Sequence, residues 1–268
     1  MKNINRRSFI KRVALALIGF VFIDSIWFEK YIIEWNYFDI SKSETDKLNI
    51  VQITDLHIDE LRSFHKSIAK KINSIQPDFV FFTGDSVETT ATIAVLSDFL
   101  QLIDFSIKKY AILGNWEHSG NVAIQQLKKV YANHNCELLI NENSLATIHN
   151  RKVAIIGIDD YLRGKPNLNK AIVNLPKVDT TIVLSHCPGY RDTLQNSNFP
   201  IDLVLSGHTH GGQITFLGFA PIKPNGSGAY LKGWYNDSEP KMYVSKGIGT
   251  STIPLRFGAR AEVMVLAI

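Results

Sequence analysis

Seven side chains of the 268-residue chain have the types and spacing of a metal site. Asp55 and His57 stand one residue apart in TDLH, and His208 and His210 repeat that spacing in GHTH. Asp85 and Asn115 each follow a glycine, in GD and GN, and His186 closes an SH pair. Carboxylate, carboxamide and imidazole donors together suit Mn, Fe or Zn, whereas an all-oxygen set would suit Mg or Ca, and the lack of thiolates argues against a structural zinc site. A carboxylate can bridge, so with Asp85 shared the seven residues provide four bonds to each of two divalent metal ions and leave positions for water and substrate. Two such ions outweigh the charge of Asp55 and Asp85, and the residual positive charge favours a phosphate oxygen. Ions about 3.5–4 Å apart clamp the attacking and leaving oxygens of an in-line displacement at phosphorus, which makes phosphoester hydrolysis the expected chemistry.

Each donor must be delivered by something rigid, and the sequence around it reads as a buried strand. LNIVQIT leads to Asp55, DFVFFTG to Asp85, KYAILG to Asn115, TTIVLS to His186 and DLVLSG to His208. Apolar runs without alternation are the pattern of strands covered on both faces. If the strand geometry continues through TDLH, side chains at i and i+2 point the same way, so Asp55 and His57 can reach one cation, and GHTH repeats the device. Gly207 allows a sharp backbone turn before it. A lone His or a GD turn is ordinarily structural; five separate strand ends that each carry a suitable ligand are not. Leu61, Phe64, Ile68, Ile72 and Ile75, and then Val95, Leu96, Phe99, Leu102 and Ile103, recur at threes and fours as helices that pack on the strands, with Pro77 and Asp78 marking a stop. RKVAIIGIDD adds a strand over 153–158. GGQITFLG, KMYVSKG and AEVMVLAI in the last third are expected to form a second sheet on the first, in an α/β layered domain whose ligands gather beyond the strand ends.

TDLH, GD at 84–85, GN at 114–115, SH at 185–186 and GHTHGGQ at 207–213 resemble the calcineurin-like metallophosphoesterase family, over nearly all of residues 48–268. VSKGIGTSTIPLRFGARAE is similar to its bacterial branch of small exported or membrane-linked phosphodiesterases. The resemblance implies an α/β fold, a four-layer αββα sandwich of two mixed sheets flanked by helices. It also implies one metal on Asp55, His57, Asp85 and His210 and another on Asp85, Asn115, His186 and His208, with a bridging hydroxide attacking phosphorus. Two departures stand out. The family usually has His directly after the GN asparagine, to bind phosphate or protonate the leaving group; GNWEH has Trp116 there and His118 two places on. Either His118 takes over, or general-acid help worth ~10²–10⁴-fold is missing and good leaving groups are favoured. In GDSVE, Glu88 replaces the usual Asp, a conservative change beside the metal ligands. Catalytic roles are accordingly expected of His118, Asn115 and His208.

Composition limits the alternatives. At 45% apolar residues the chain can bury a substantial core. The net charge of +4 looks like a nucleic-acid footprint, but five cations and no acid lie in the first twelve residues, which leaves the rest at −1. No nucleic-acid duplex binding is indicated. Cys136 and Cys187 are too few for a disulfide framework and read as two buried thiols.

Residues 5–11, NRRSFIK, resemble a twin-arginine export signal, and the apolar run Val13–Ile23 follows. The run is short of the ~20 residues of a spanning helix, and no small-x-small cleavage site follows it, so a retained anchor is expected, with the domain outside. The expected organisation is a signal or membrane anchor over 1–30, a linker over 31–47 and a metallophosphoesterase domain over 48–268. The expected partners are the twin-arginine export machinery, the membrane and a phosphoester substrate, lipid-linked or otherwise, acted on at the outer face of the cytoplasmic membrane or in the envelope. The competing readings are a phosphate-scavenging phosphomonoesterase and a metal-binding protein without catalysis.

Arg256 and Arg260 are candidates to hold the substrate's remaining anionic group, against an equal case for structural ion pairs. His65, His134 and His149 read as surface residues. Tyr230 and Trp234 read as aromatic packing in preference to a lipid or nucleobase pocket.

Overall fold

The computed structural model describes residues 5–41 and 46–268; Lys2, among the N-terminal cations, and most of the polar stretch 41–47 lie outside the described residues. Helix α1 (Arg6–Ile23) runs through a π-helical turn (Asp24–Phe28) into α2 (Glu29–Tyr31). The first sheet is then begun by β1 (Glu34–Asp39) and β2 (Asn49–Ile53), and continued after α3 (Ser63–Ile75) by β3 (Phe79–Thr83), after α4 (Ile93–Gln101) by β4 (Lys108–Ile112), and after α5 (Asn115–Ser119) and α6 (Ile124–Asn133) by β5 (Cys136–Leu138). Strands β6 (Glu142–Ile148) and β7 (Arg151–Gly157) open the second sheet. Helix α7 (Leu168–Ala171), β8 (Thr180–Leu184), α8 (Arg191–Gln195), β9 (Leu203–Ser206), β10 (Gly233–Tyr235) and β11 (Met242–Val244) follow, and β12 (Glu262–Ala267) ends the chain.

Two mixed six-stranded sheets result, in the orders β1-β12-β2-β3-β4-β5 and β10-β11-β9-β8-β7-β6. Their inner faces meet through Ile50, Phe79, Phe81, Tyr110, Leu184, Leu205 and Leu266, all at most 1% exposed. Helices α3, α4 and α6 cover the outer face of the first sheet, and α7 and α8 that of the second. These are the four layers expected. Both faces of the central strands are covered, which is why their sequences do not alternate.

Three expectations about the elements need correction. The five ligand-bearing strands are divided between the sheets, β2, β3 and β4 in one and β8 and β9 in the other. The last third does not make a sheet of its own: β10 and β11 extend the second sheet, β12 inserts between β1 and β2 of the first, and GGQITFLG forms only isolated bridges, Ile214 with Phe257 and Phe216 with Phe219. Residues 34–39, expected within a linker, form β1, parallel to β12, because Trp35 packs on the helical side and Phe38 edges against Trp234 and Tyr243. Cys136 and Cys187 are buried free thiols, as expected.

Candidate dinuclear metal centre

Because β2, β3 and β4 are parallel, with Ile53 level with Phe82 and Thr83 with Ile112, their carboxyl ends open at one edge. In the second sheet β8 and β9 are parallel as well, with Leu184 level with Leu205. The candidate centre lies where the two edges meet. Asp55, His57 and His210 place one donor atom each within 4.8 Å of one another, and so do Asp85, His186 and His208. The paired spacings therefore work differently. TDLH delivers both residues to one group, whereas GHTH splits its histidines between the two, which corrects the spacing-based reading of a repeated device.

The mechanism of delivery also differs from strand alternation. Both motifs lie beyond their strands, and Asp55, His57, Asp85, His208 and His210 all have positive φ, between 43° and 71°. Non-glycine residues in this left-handed region cost about 1 kcal/mol or more each and persist only where the surroundings enforce them. Here the loops brace one another: Asp55 N–H donates to Gly84 O at 3.1 Å, His57 N–H to Asp85 O at 2.9 Å, and Gly207 N–H to His186 O at 3.0 Å. The Asp55 carboxylate accepts the His208 N–H at 2.9 Å and so ties the two sheets together. Gly207 is required for close approach and not for a turn: a Cβ there would collide with Asp55 and Thr54, and one on Gly114 would collide with Asp85.

Lone pairs converge. A carbonyl only accepts, so His186 Nδ1 carries the proton it shares with Thr83 O at 2.8 Å and leaves Nε2 to face Asp85 Oδ2 at 3.1 Å. His208 Nε2 likewise donates to Asn225 O at 2.6 Å, which frees Nδ1. The Nε2 atoms of His57 and His210 stand 3.3 Å apart, and His210 Nε2 is 3.4 Å from Asp55 Oδ1. His57 Nδ1 is 2.8 Å from Glu88 Oε1, so Glu88 does orient a candidate ligand from behind. Asn115 Oδ1 is buried without a hydrogen-bond partner. Buried polar atoms are rarely left so, and a divalent cation satisfies it. The donor set fits such ions on this ground as well as by type.

Electrostatics prepare the donors. Burial opposes ionisation of Asp85, but His186 and His57 beside it hold its carboxyl far below the usual range. His210 is driven well below its ordinary value by burial, His57 and Arg256, and His208 is lowered by burial and His186, which leaves both as neutral imidazoles. His186 is raised despite burial, chiefly by Asp85.

His118 turns to Asp159, with Nε2 2.7 Å from Oδ1, and that bond raises its pKa. The pocket of about 470 Å³ beside the donors is lined by Asp85, Asn115, Trp116 and His208, together with Ile222 and Ile253; His118 is not among its lining residues. A second hollow of about 700 Å³ reaches His57 and Glu88 from the other side of Trp116. A cavity of about 720 Å³ elsewhere contains none of the donors.

Other expectations divide. Arg256 is fully buried and donates to the carbonyls of Lys246, Gly249 and Ala259 besides His210, and Arg260 donates to Ile32 O over the Phe28 ring. Both are structural, which corrects the substrate reading. His65 is 2% exposed, contrary to a surface position, because its Nδ1 accepts the Arg62 N–H that opens α3; His134 is half-buried and His149 exposed. Tyr230 and Trp234 do pack against aromatic neighbours. Glu117 was not singled out. Fully buried, it accepts the N–H groups of Asp85, Ser86, Val87 and Gly114, and burial with Asp85 nearby raises its pKa to about 7. Its place three residues after Gly114 is the spacing of a helix-capping acid, a signal the sequence did contain.

Residues 48–212 match the sequence model of the calcineurin-like phosphoesterases. The chain is 28% identical over 284 residues to the uncharacterized metallophosphoesterase YkuE of Bacillus subtilis, covering 100% of this chain and 99% of that protein. It is 27% identical over 282 residues to phosphodiesterase YaeI of Escherichia coli, covering 98% of each. Among solved structures it is similar to a 5'-nucleotidase precursor from Thermus thermophilus, with a TM-score of 0.51 at 14% identity over 83% of this chain and 54% of that one. The chain thus spans about half of that protein, and at this identity the likeness is one of fold.

Proposed function

The chain belongs to the calcineurin-like phosphoesterase family and is a metal-dependent phosphoester hydrolase, and from that premise we propose that it holds two divalent ions and cleaves phosphodiester or pyrophosphate bonds at the cell envelope. The observation that carries the dinuclear reading is the position of Asp85. Its Oδ2 is 3.1 Å from His186 Nε2 in one donor group and 3.7 Å from His57 Nε2 in the other. Asp55, His57, Asp85 and His210 would hold one ion, and Asp85, Asn115, His186 and His208 the other, as Mn, Fe or Zn. Bound there, the ions supply Lewis acidity to the phosphoryl oxygens and positive charge for the displacement.

The chain's own groups do the rest. Asp85 Oδ1 accepts the Trp116 N–H at 2.8 Å, which orients the carboxylate that would bridge the ions, and Glu117 fixes the loop behind it. Asn115 presents an unpaired carboxamide oxygen to the pocket. Asp159 engages His118 Nε2 and raises its pKa, so Nδ1 is the atom left to pass a proton to a leaving group. Leu162, Ile214 and Pro221 line the same pocket, which suits an apolar or lipid-linked portion of the substrate.

The envelope assignment rests on the twin-arginine-like NRRSFIK and the apolar run behind it. Among the described residues no helix is long and apolar enough to cross a membrane, so the proposed attachment is a surface or signal-type anchor.

Metal-loaded protein incubated with a chromogenic phosphodiester and the matching monoester tests the reading. Preferential diester turnover, about two ions per chain by elemental analysis, and loss of both ions in Asp85→Asn are expected. Monoester preference would replace the substrate class; silence toward both would favour a non-catalytic metal protein; normal metal content in Asp85→Asn would exclude the bridging role.

A further inference from the structure

The rim of the pocket carries apolar side chains that are left exposed among the described residues. Phe216 and Phe219 close a two-residue turn by reciprocal backbone hydrogen bonds of 2.9 Å, and are 67% and 70% exposed. Leu217 at its tip is 94% exposed, and Ile222, which lines the pocket mouth, is 73% exposed. The two central residues, Leu217 and Gly218, have φ of 48° and 84°. Turns with both central φ positive are the natural place for Asn-Gly or Asp-Gly. Leucine there is unfavourable twice, in backbone conformation and in exposure to water. A second phase that accepts the leucine removes one of those two penalties.

The same edge of the molecule bears the N-terminal helix. Residues 254–261 join the two: Thr215 N–H donates to Phe257 O and Ile214 bridges Phe257 on one side, while Arg256 N–H donates to Ser25 O, Ala261 N–H to Glu29 O and the Gly258 and Ala259 N–H groups to the Glu29 carboxylate on the other. From there α1 leads away with Phe9, Leu15, Phe20 and Phe22 each more than half exposed. Charge agrees with apolarity. No Asp or Glu occurs over residues 1–23, 203–236 or 246–261, and Lys223 and Lys232 flank the turn region. Segments without carboxylates, with lysines beside exposed aromatic and aliphatic side chains, match an anionic bilayer surface, and the nearby Glu29 carboxylate is engaged by two backbone N–H groups.

We propose that the turn Phe216–Phe219, with Ile222, enters the headgroup layer of an anionic lipid bilayer, so that the pocket mouth faces the membrane and draws a bilayer-resident phosphoester from it. The substrate half of this rests on the phosphoesterase reading of the site; the docking half does not.

Full-length protein carrying Leu217→Cys, labelled with an environment-sensitive dye, tests the docking, because the native Cys136 and Cys187 are buried and do not compete for label. With phosphatidylethanolamine–phosphatidylglycerol vesicles, a blue shift and a several-fold rise in emission, quenched by spin-labelled lipids, are expected. Unchanged emission from protein that co-sediments with the vesicles through its N-terminal segment would overturn the proposal. So would an emission rise that depends on protein concentration and needs no vesicles, since the turn would then be a contact between copies. In a second arm, Phe216→Ser, Leu217→Asn and Phe219→Ser are combined, leaving the pocket lining intact. Turnover of a soluble chromogenic diester should stay within about twofold of the parent, while turnover of a vesicle-embedded phospholipid falls about tenfold or more. Equal loss on both substrates would refute placement of the mouth on the membrane. A parent that hydrolyses neither would refute the phosphoesterase reading, with docking still decided by the dye.

Discussion

A carboxylate or imidazole in left-handed backbone geometry is costly, and this protein keeps five of them at one candidate metal centre. At about 1 kcal/mol or more each, the conformations persist because the side chains are wanted where that geometry aims them, and because Glu117 and the cross-strand hydrogen bonds leave the loops no alternative. His118 is the residue whose role is most open to measurement. Trp116 stands at the pocket in the position after Asn115, and His118 is held at Asp159. If His118 supplies the proton, His118→Ala should slow hydrolysis of a diester with a poor leaving group by about 10²-fold or more and one with a good leaving group only slightly. An equal effect on both would remove it as donor.

At the scale of elements, helix α3 shows how a buried histidine makes a fold acid-sensitive. His65 occupies the third residue of α3, where its Nδ1 accepts the Arg62 N–H at 3.1 Å while its ring packs on Phe64 and Phe99. Burial first, and the nearby Arg62 charge second, push its pKa down to about 4. The unfolded chain therefore binds this proton more readily than the folded one. The neutral ring's contribution is fully present above the unfolded value near 6.5 and is lost as pH falls from there toward 4, by about 3 kcal/mol at most. His65→Gln keeps an acceptor at this position without the titration. Urea midpoints measured from pH 7 to 4.5 should fall less steeply in the variant; parallel curves would show that His65 does not govern acid stability.

For the whole molecule, closure of the first sheet by the last strand is decisive. Strand β12 sits between β1 and β2, antiparallel to β2, which leads to Asp55, and Leu266 at 0% exposure fills the space between the sheets opposite Ile50. Leu266→Ala should cost about 2–5 kcal/mol by lost burial and the cavity left behind. It should leave the metal content of the folded fraction unchanged, because no candidate ligand touches that position. A cost below about 1 kcal/mol in chemical denaturation would mean that the two sheets do not depend on this layer for their packing.

Strands β2, β3, β4, β7, β8, β9, β11 and β12, the amphipathic helices α3 and α4 and the donor residues at five strand ends were legible in the sequence, because burial on both faces imposes continuous apolar runs and metal-binding chemistry restricts residue type. Glu117 was legible too, from its capping position. The allocation of strands to two sheets, the insertion of β12 and the conversion of residues 34–39 into β1 belong to the tertiary structure alone, whereas the division of His208 from His210, which spacing missed, was already implied by the family resemblance. Hydrophobic periodicity records how deeply a segment is buried but not which partner buries it. The direction of a side chain beyond a strand end depends on backbone dihedrals that long-range contacts hold in place.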